Sequence, residues 1–235
     1  MKSRIAELNI EILNRFGFME KIGEKYLAEF SAPDLTLEAT TEDIALEKTL
    51  ALADGLDEGR LEAVAVCRKL GLALPSFDAL MLHAATFELD GRGIAFLAKS
   101  GTGKSTHMLL WQRLFGDRLQ IVNGDKPIVR FEDPLPLPLA YGTPWCGKEG
   151  FSQNRSIPLT DLCFIRRSGK NETKPMDKSE ALSLLLEQVV IPEGSENILK
   201  VLDLLDRLLS ACNLWEIKCN TDLAAAEESS NIILR

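Results

Sequence analysis

AKSGTGKSTH, residues 98–107, decides how the rest of the chain is read. An apolar run, HAATFELDGRGIAFL, precedes it, and MLLWQRLFG follows with its apolar positions at helical spacing. Strand, glycine-containing loop and helix in that order match the phosphate-binding pattern G-x-x-x-x-G-K-[ST], whose backbone N–H groups wrap phosphate oxygens. One position departs from the pattern: Ala98 stands where the first glycine belongs. Alanine costs little there provided its φ is negative, since its side chain is one methyl group. Gly101 and Gly103 permit the turns that aim N–H groups inward, with Ser100, Thr102 and Thr106 completing the cradle. Lys104 is placed to reach the β- and γ-phosphates of ATP, and Ser105 to ligate Mg2+. A helix starting near Lys104 adds its positive end to the anion site.

The 235 residues suit one domain of ordinary size, or a core domain with a small appendage. A net charge of -8 argues against a nucleic-acid or anionic-membrane binder. No apolar run approaches the roughly 18 residues that span a bilayer. The opening stretch MKSRIAELNIEILNRFGF is interrupted by Glu7, Asn9 and Glu11, unlike a signal peptide. Cys67, Cys146, Cys163, Cys212 and Cys219 show no C-x-x-C spacing, so reduced thiols in a cytoplasmic protein are expected.

Leu8, Ile10 and Ile12 fall on one side of a strand expected over 5–12, and LTLEAT (35–40) alternates in the same way. Thr41 reads as the cap of a helix over EDIALEKTLALA, and a second helix, EGRLEAVAVCRKLG, is expected to end at Gly71. Residues 1–76 thus read as a small N-terminal α+β layer on a larger domain, 77–235. In the latter, Asp90-Gly91-Arg92-Gly93 is a hairpin signal. If Leu89 faces Ile94, His83 lies opposite Ser100, at the mouth of the loop. RLQIVNGD and DLCFIRR read as strands, LWEIKC as another, with helices at about 178–190, 197–212 and from Asp222. In the helix over 197–212, Ile198, Val201, Leu202, Leu205 and Leu208 form an apolar stripe that faces the core or another copy of the chain.

YGTPWCGK is too rich in special residues for an idle connection. Trp145 offers a flat stacking surface, and Lys148 a mobile charge that reaches phosphate. Lys126, in DKP, is a further cation, and Asn154 or Arg155 is close enough in sequence to contact substrate.

AKSGTGKSTH, the aspartate of VNGDKP and the upstream LHAA together resemble the catalytic domain of HPr kinase/phosphorylase. Closer still is the resemblance to bacterial HPr-kinase-like or carboxykinase-like proteins, which share SGTGKSTH, DKP and YGTPW-GK over roughly residues 77–220. The resemblance implies an α/β fold of the phosphoenolpyruvate-carboxykinase-like P-loop type. It also implies kinase chemistry. In that family the strand after the loop helix ends in two adjacent aspartates, which serve magnesium and activate the attacking hydroxyl. The matching positions here are Gly124 and Asp125, so the first acid is missing. Asp125 is then left as magnesium ligand or base, with Asn123 or Glu149 as candidates to share the task. His83 matches the family's histidine before the loop.

The reading is an ATP- and Mg2+-dependent kinase acting on a hydroxyl of a small metabolite or of a peptide or protein serine. Lys104, Asp125 and His83 are its catalytic candidates, and Lys126, Trp145, Lys148 and Asn154 its acceptor-side candidates. The rival is a nucleotide-binding regulatory module with weak hydrolysis, which the glycine at 124 favours. A carboxykinase-like reaction on an oxoacid fits less well, since no second His and Asp cluster is evident.

Overall fold

Alternating apolar residues build a small sheet from the first part of the chain. β1 (Lys2–Ile5) and β2 (Leu8–Leu13) form a hairpin, with β3 (Leu35–Glu38) parallel to β2. The computed structural model describes residues 1–50, 55–132 and 134–235. The single strand expected over 5–12 is therefore two. Ala6 and Glu7, at φ 50° and 60°, make the two-residue turn that a right-twisted hairpin favours. Leu8, Ile10 and Ile12 share the buried face as their alternation predicts.

Two helices cover this sheet's region after α1 (Phe18–Gly23). α2 (Thr41–Leu50) is capped by Thr40 rather than Thr41. The Thr40 hydroxyl accepts from the Asp43 N–H, and the Asp43 carboxylate accepts from the Thr40 N–H. Residues 51–53 of the expected helix lie outside the described residues. α3 (Glu58–Ala73) starts at an Asp57 cap and runs past Gly71, which is buried against Val190. The fully buried carboxylate of Glu62 accepts from the N–H groups of Arg15 and Phe16, tying α3 to the turn before α1.

The central sheet is mixed. Its strands are β4 (Ala79–Met81), β5 (Ala84–Leu89), β6 (Arg92–Leu97), β7 (Leu119–Asn123), β8 (Ile128–Arg130), β9 (Leu139–Tyr141) and β10 (Ser156–Arg167). They lie in the order β4-β8-β9-β10-β6-β5-β7. β11 (Glu172–Pro175) and β12 (Asn213–Cys219) extend it, β12 running parallel to β10. The helices are α4 (Lys104–Phe115), α5 (Lys178–Leu186), α6 (Ser195–Ala211) and α7 (Leu223–Ile233).

The β5–β6 turn is tighter than expected. Asp90 and Gly91 alone form it, both at positive φ (51° and 83°), so Leu89 faces Arg92 and Ala84 faces Leu97. Arg92 belongs to the strand, and its guanidinium pairs with the fully buried Asp161. His83 is consequently level with Ala98 rather than Ser100.

β6 and β10 are buried on both faces, as inner strands of a layered α/β fold must be. Ala95, Leu97, Leu162 and Phe164 pack with α5 and α6. Ile94, Phe96, Cys163 and Ile165 pack on the opposite side with Trp111 of α4 and the alanines of α7. Burying each large side chain in these layers contributes about 1.5–3 kcal/mol relative to exposure. A third cluster joins the N-terminal sheet and α3 to Ile128, Tyr141 and Trp145. On α6 the buried residues are Val201, Leu204, Leu205, Leu208 and Leu209, whereas Ile198 and Leu202 of the expected stripe are exposed. The expected stripe holds at Val201, Leu205 and Leu208, and the buried face continues through Leu204 and Leu209 rather than through Ile198 and Leu202. Among the described residues, no helix is long and apolar enough to cross a membrane.

Candidate functional site

The connection between β6 and α4 has the backbone that an anion cradle needs. Gly101 and Gly103 adopt φ of 74° and 122°, and a Cβ at either would meet open space, so conformation and not crowding requires glycine there. Ala98 is buried and its φ is not positive, which meets the condition for replacing the first glycine. α4 starts without a side-chain cap, leaving the N–H groups of its first turn without a side-chain acceptor.

Lys104 is only 7% exposed. Its ammonium donates to the Ala98 carbonyl oxygen (3.1 Å) and lies 2.8 Å from His83 Nε2. Burial pushes its pKa down to about 8, against the opposing pull of Asp125. His83 Nε2 is also 3.2 Å from Asp125 Oδ1. One nitrogen thus serves two partners: unprotonated, it accepts from Lys104, and protonated, it donates to Asp125.

Backbone pairing puts His83 there. The N–H groups of Leu82 and Ala84 donate to the carbonyl oxygens of Pro127 and Asp125, and that of His83 to Gln188 (2.8 Å). Asp125 itself is set by Asn123, whose fully buried amide oxygen accepts from the N–H groups of Asp125 and Lys126. The Asn123 NH2 group donates to Thr143, so this side chain shapes the turn and has no capacity left to act as an acid or a ligand. Burial raises the Asp125 pKa, but the His83 hydrogen bond and the charges of Lys126, His83 and Lys104 outweigh it. The carboxyl is held below its usual range.

Gly124 explains the missing acid. A Cβ at this position would lie 2.6 Å from the Cys146 carbonyl oxygen, and the Gly124 N–H donates to Phe151. The YGTPWCGK segment is pressed onto the strand end so closely that no side chain fits. Its own Gly142 is equally constrained, with a Cβ reaching 1.9 Å from the Gln153 carbonyl oxygen. Gly124→Asp is therefore expected to lower stability by about 1–3 kcal/mol, the cost of overpacking, without raising any phosphoryl transfer. Thermal unfolding and a transfer assay on this variant check it; greater transfer would show that a two-acid arrangement fits after all.

Two cavities meet at His83 and Asp125. The first, of about 440 Å³, is lined by Ser100, Gly101, Gly103, Lys104, Ser105 and Thr106 together with Lys148, Glu149 and Arg167. The second, of about 320 Å³, is lined by Lys126 and Trp145 with Val64, Cys67 and Arg68 of α3, and with Met81, Gln188 and Val190. Thr102 faces the grooves flanking the loop and lines neither of these cavities. Trp145 presents only 9% of its surface, and its indole N–H donates to Ala63. It is a wall of the second cavity, not a free stacking plate. Asn154 and Arg155 line neither cavity: the Asn154 amide donates to the Lys25 carbonyl oxygen, and Arg155 pairs with Glu88 at 2.6 Å. His107 is buried and bonded to Ser229, as a packing residue of α4.

Sequence reading missed Arg167, whose guanidinium donates to the carbonyl oxygens of Gly101 and Thr102. Parallel pairing of β10 with β6 carries it to the loop. It also missed Gln188 and the α3 residues, for which no local signal exists.

Ser105 and Asp125 reach the same cavity, while no cluster of three or more His, Cys, Asp or Glu suited to a metal occurs among the described residues. An ionised carboxylate and a hydroxyl fit magnesium only jointly with phosphate oxygens, the usual manner of its binding.

No family model and no curated protein sequence matches the chain. Among solved structures, the HPr(Ser) kinase/phosphatase of Coxiella burnetii is similar over 66% of this chain and 96% of its own, at 14% identity and a TM-score of 0.35. A likeness at that level carries nothing about the site, and the functional reading rests on the cavities themselves.

Proposed function

We propose that this protein is a phosphotransferase that moves the γ-phosphoryl group of ATP to a hydroxyl group. The observation that carries the reading is the His83–Asp125 pair standing between a phosphate-type loop and a second cavity. The loop N–H groups, the α4 N-terminus and Lys104 hold the triphosphate. Ser105 and Asp125 are the residues that would hold magnesium, which, when bound, neutralises charge on the phosphates. The acceptor oxygen bonds to the γ-phosphorus as the bond to ADP breaks, and the hydroxyl proton passes to the Asp125 carboxylate. Catalysis of this kind is positioning and electrostatics. The division into a 1–76 layer and a 77–235 domain belongs to the same proposal, with α3 of the first supplying a wall of the acceptor cavity. A cytoplasmic setting suits a donor of this kind.

The glycine at 124 supports a second reading, a nucleotide-dependent regulatory module with slow hydrolysis, because a single carboxylate must do the work of two. A single turnover with γ-labelled ATP and Mg2+ separates them. A kinase labels an acceptor drawn from a metabolite mixture; a regulatory module releases only free phosphate.

ATP affinity is expected to decline as pH rises through about 8, because the free protein's Lys104 loses its proton there and the bound phosphates restore it. The folding equilibrium has the opposite sign. Between about 8 and the ordinary value of 10.5 the unfolded chain keeps this proton and the folded one does not, so this residue's contribution makes stability rise with pH. Titration calorimetry at about pH 8.5 in buffers of different ionisation heat reads the proton uptake. No uptake would mean that Lys104 does not meet the phosphates.

A further inference from the structure

The second cavity is narrower in its demands than the hydroxyl chemistry alone. Its floor is Cys67, Met81 and Trp145, each under a tenth exposed, and Val190 adds a further apolar wall. The indole N–H is already bonded to Ala63 and the Cys67 thiol to Met81, so these walls offer no free polar group. Val64, 40% exposed, and Arg68 lie towards the α3 rim, with Arg68 held by Glu47. The remaining lining is charged or ionisable, Arg68, His83, Asp125 and Lys126, apart from one neutral polar residue, Gln188, which stands between this cavity and the groove beside the loop. Gln188 is 7% exposed, and its side-chain oxygen Oε1 is buried with no hydrogen-bond partner. An orphaned buried acceptor costs about 1–3 kcal/mol, a cost that a donor on a bound molecule removes.

From this arrangement we infer that the acceptor is a small free molecule, not a serine on a protein: a hydroxyl on a compact apolar or aromatic body, with a second hydrogen-bond donor for Gln188. The inference rests on the phosphotransferase reading for its reaction and on the cavity alone for its ligand. A serine presented by a protein would insert one hydroxymethyl group and leave most of the 320 Å³ unfilled, forfeiting contact with Met81, Cys67 and Trp145. A volume of this size is at the lower end for small-molecule sites, which are typically apolar with a few placed polar groups. At the inner end the reacting hydroxyl meets Asp125, its oxygen bonding to phosphorus while its proton goes to the carboxylate.

The probe is 4-hydroxybenzyl alcohol, which has a ring body, a hydroxymethyl group and a phenolic donor. Its binding is measured by titration without nucleotide, on the full chain, beside benzyl alcohol and an unstructured serine-containing peptide. Wild type is expected to bind it about fivefold more tightly than benzyl alcohol, the worth of one net hydrogen bond. Gln188→Leu should erase that preference, and Val64→Trp, at an exposed position that fills the mouth, should weaken the probe at least tenfold. ATP titrations of the same proteins read the nucleotide site separately: failure of ATP to bind overturns the phosphotransferase reading and leaves the cavity result standing. No probe binding, binding indifferent to Val64→Trp, a preference that survives Gln188→Leu, or transfer of label to the peptide and not to the probe would each overturn the inference.

Discussion

Asp125→Asn is expected to keep ATP and to lose at least about 10²-fold in phosphoryl transfer, the lower end of what a general base contributes. The substitution preserves shape, and the backbone bonds that set this residue, from Ala84 and to Asn123, do not involve its carboxylate. What disappears is the ionised oxygen beside His83, which stands at the junction of the two cavities. ATP affinity measured without magnesium should hold or rise, since a negative charge next to the phosphates is removed. Neither residue preceding it in the chain can substitute: Gly124 has no room for a side chain, and the amide of Asn123 is fully engaged. Glu149 lines the loop cavity and is the one remaining carboxylate there. Transfer within a few-fold of wild type would move the role to Glu149 and overturn the assignment of Asp125; single-turnover rates with γ-labelled ATP measure it.

Lys104→Ala should weaken ATP binding by about 10- to 100-fold, the range for a hydrogen bond to a charged group, and leave no measurable turnover. The other cations in that cavity do not replace it. Arg167 is engaged by the carbonyl oxygens of Gly101 and Thr102, and Lys148 is exposed on the facing segment. Folding should tolerate the change, because the ammonium is held in a site that burial makes costly, as its lowered pKa records. Thermal unfolding beside calorimetric ATP titration separates the two effects. Unchanged affinity in a folded variant would remove the basis for a nucleotide site at this loop.

Local chemistry made much of this legible in the residues themselves. The loop backbone follows from Gly101 and Gly103, the boundaries of α4 from Lys104 and Gly116, and the burial of Leu8, Ile10 and Ile12 from period-two alternation. Turn geometry was less legible, because a choice between two and four turn residues depends on how the flanking strands twist. Asp90-Gly91 closed with two residues where four were expected, and Ala6-Glu7 turned where one continuous strand was expected. That choice set the register and placed His83 level with Ala98, yet still beside the loop, since Lys104 reaches back to both.

The sequence by itself determined that a phosphate-type loop, one aspartate and one histidine belong to this chain in an order that allows a site. Only the tertiary structure decided that they meet, because the contacts that bring them together join residues far apart along the chain. The Leu82–Ala84 backbone pairs with the segment after β7, and β10 lies parallel to β6. α3 closes over the second cavity from the N-terminal layer. It also decided that Gly124 is glycine for want of space: the Cys146 carbonyl oxygen occupies the place of its side chain, a steric fact that no spacing of residues could carry.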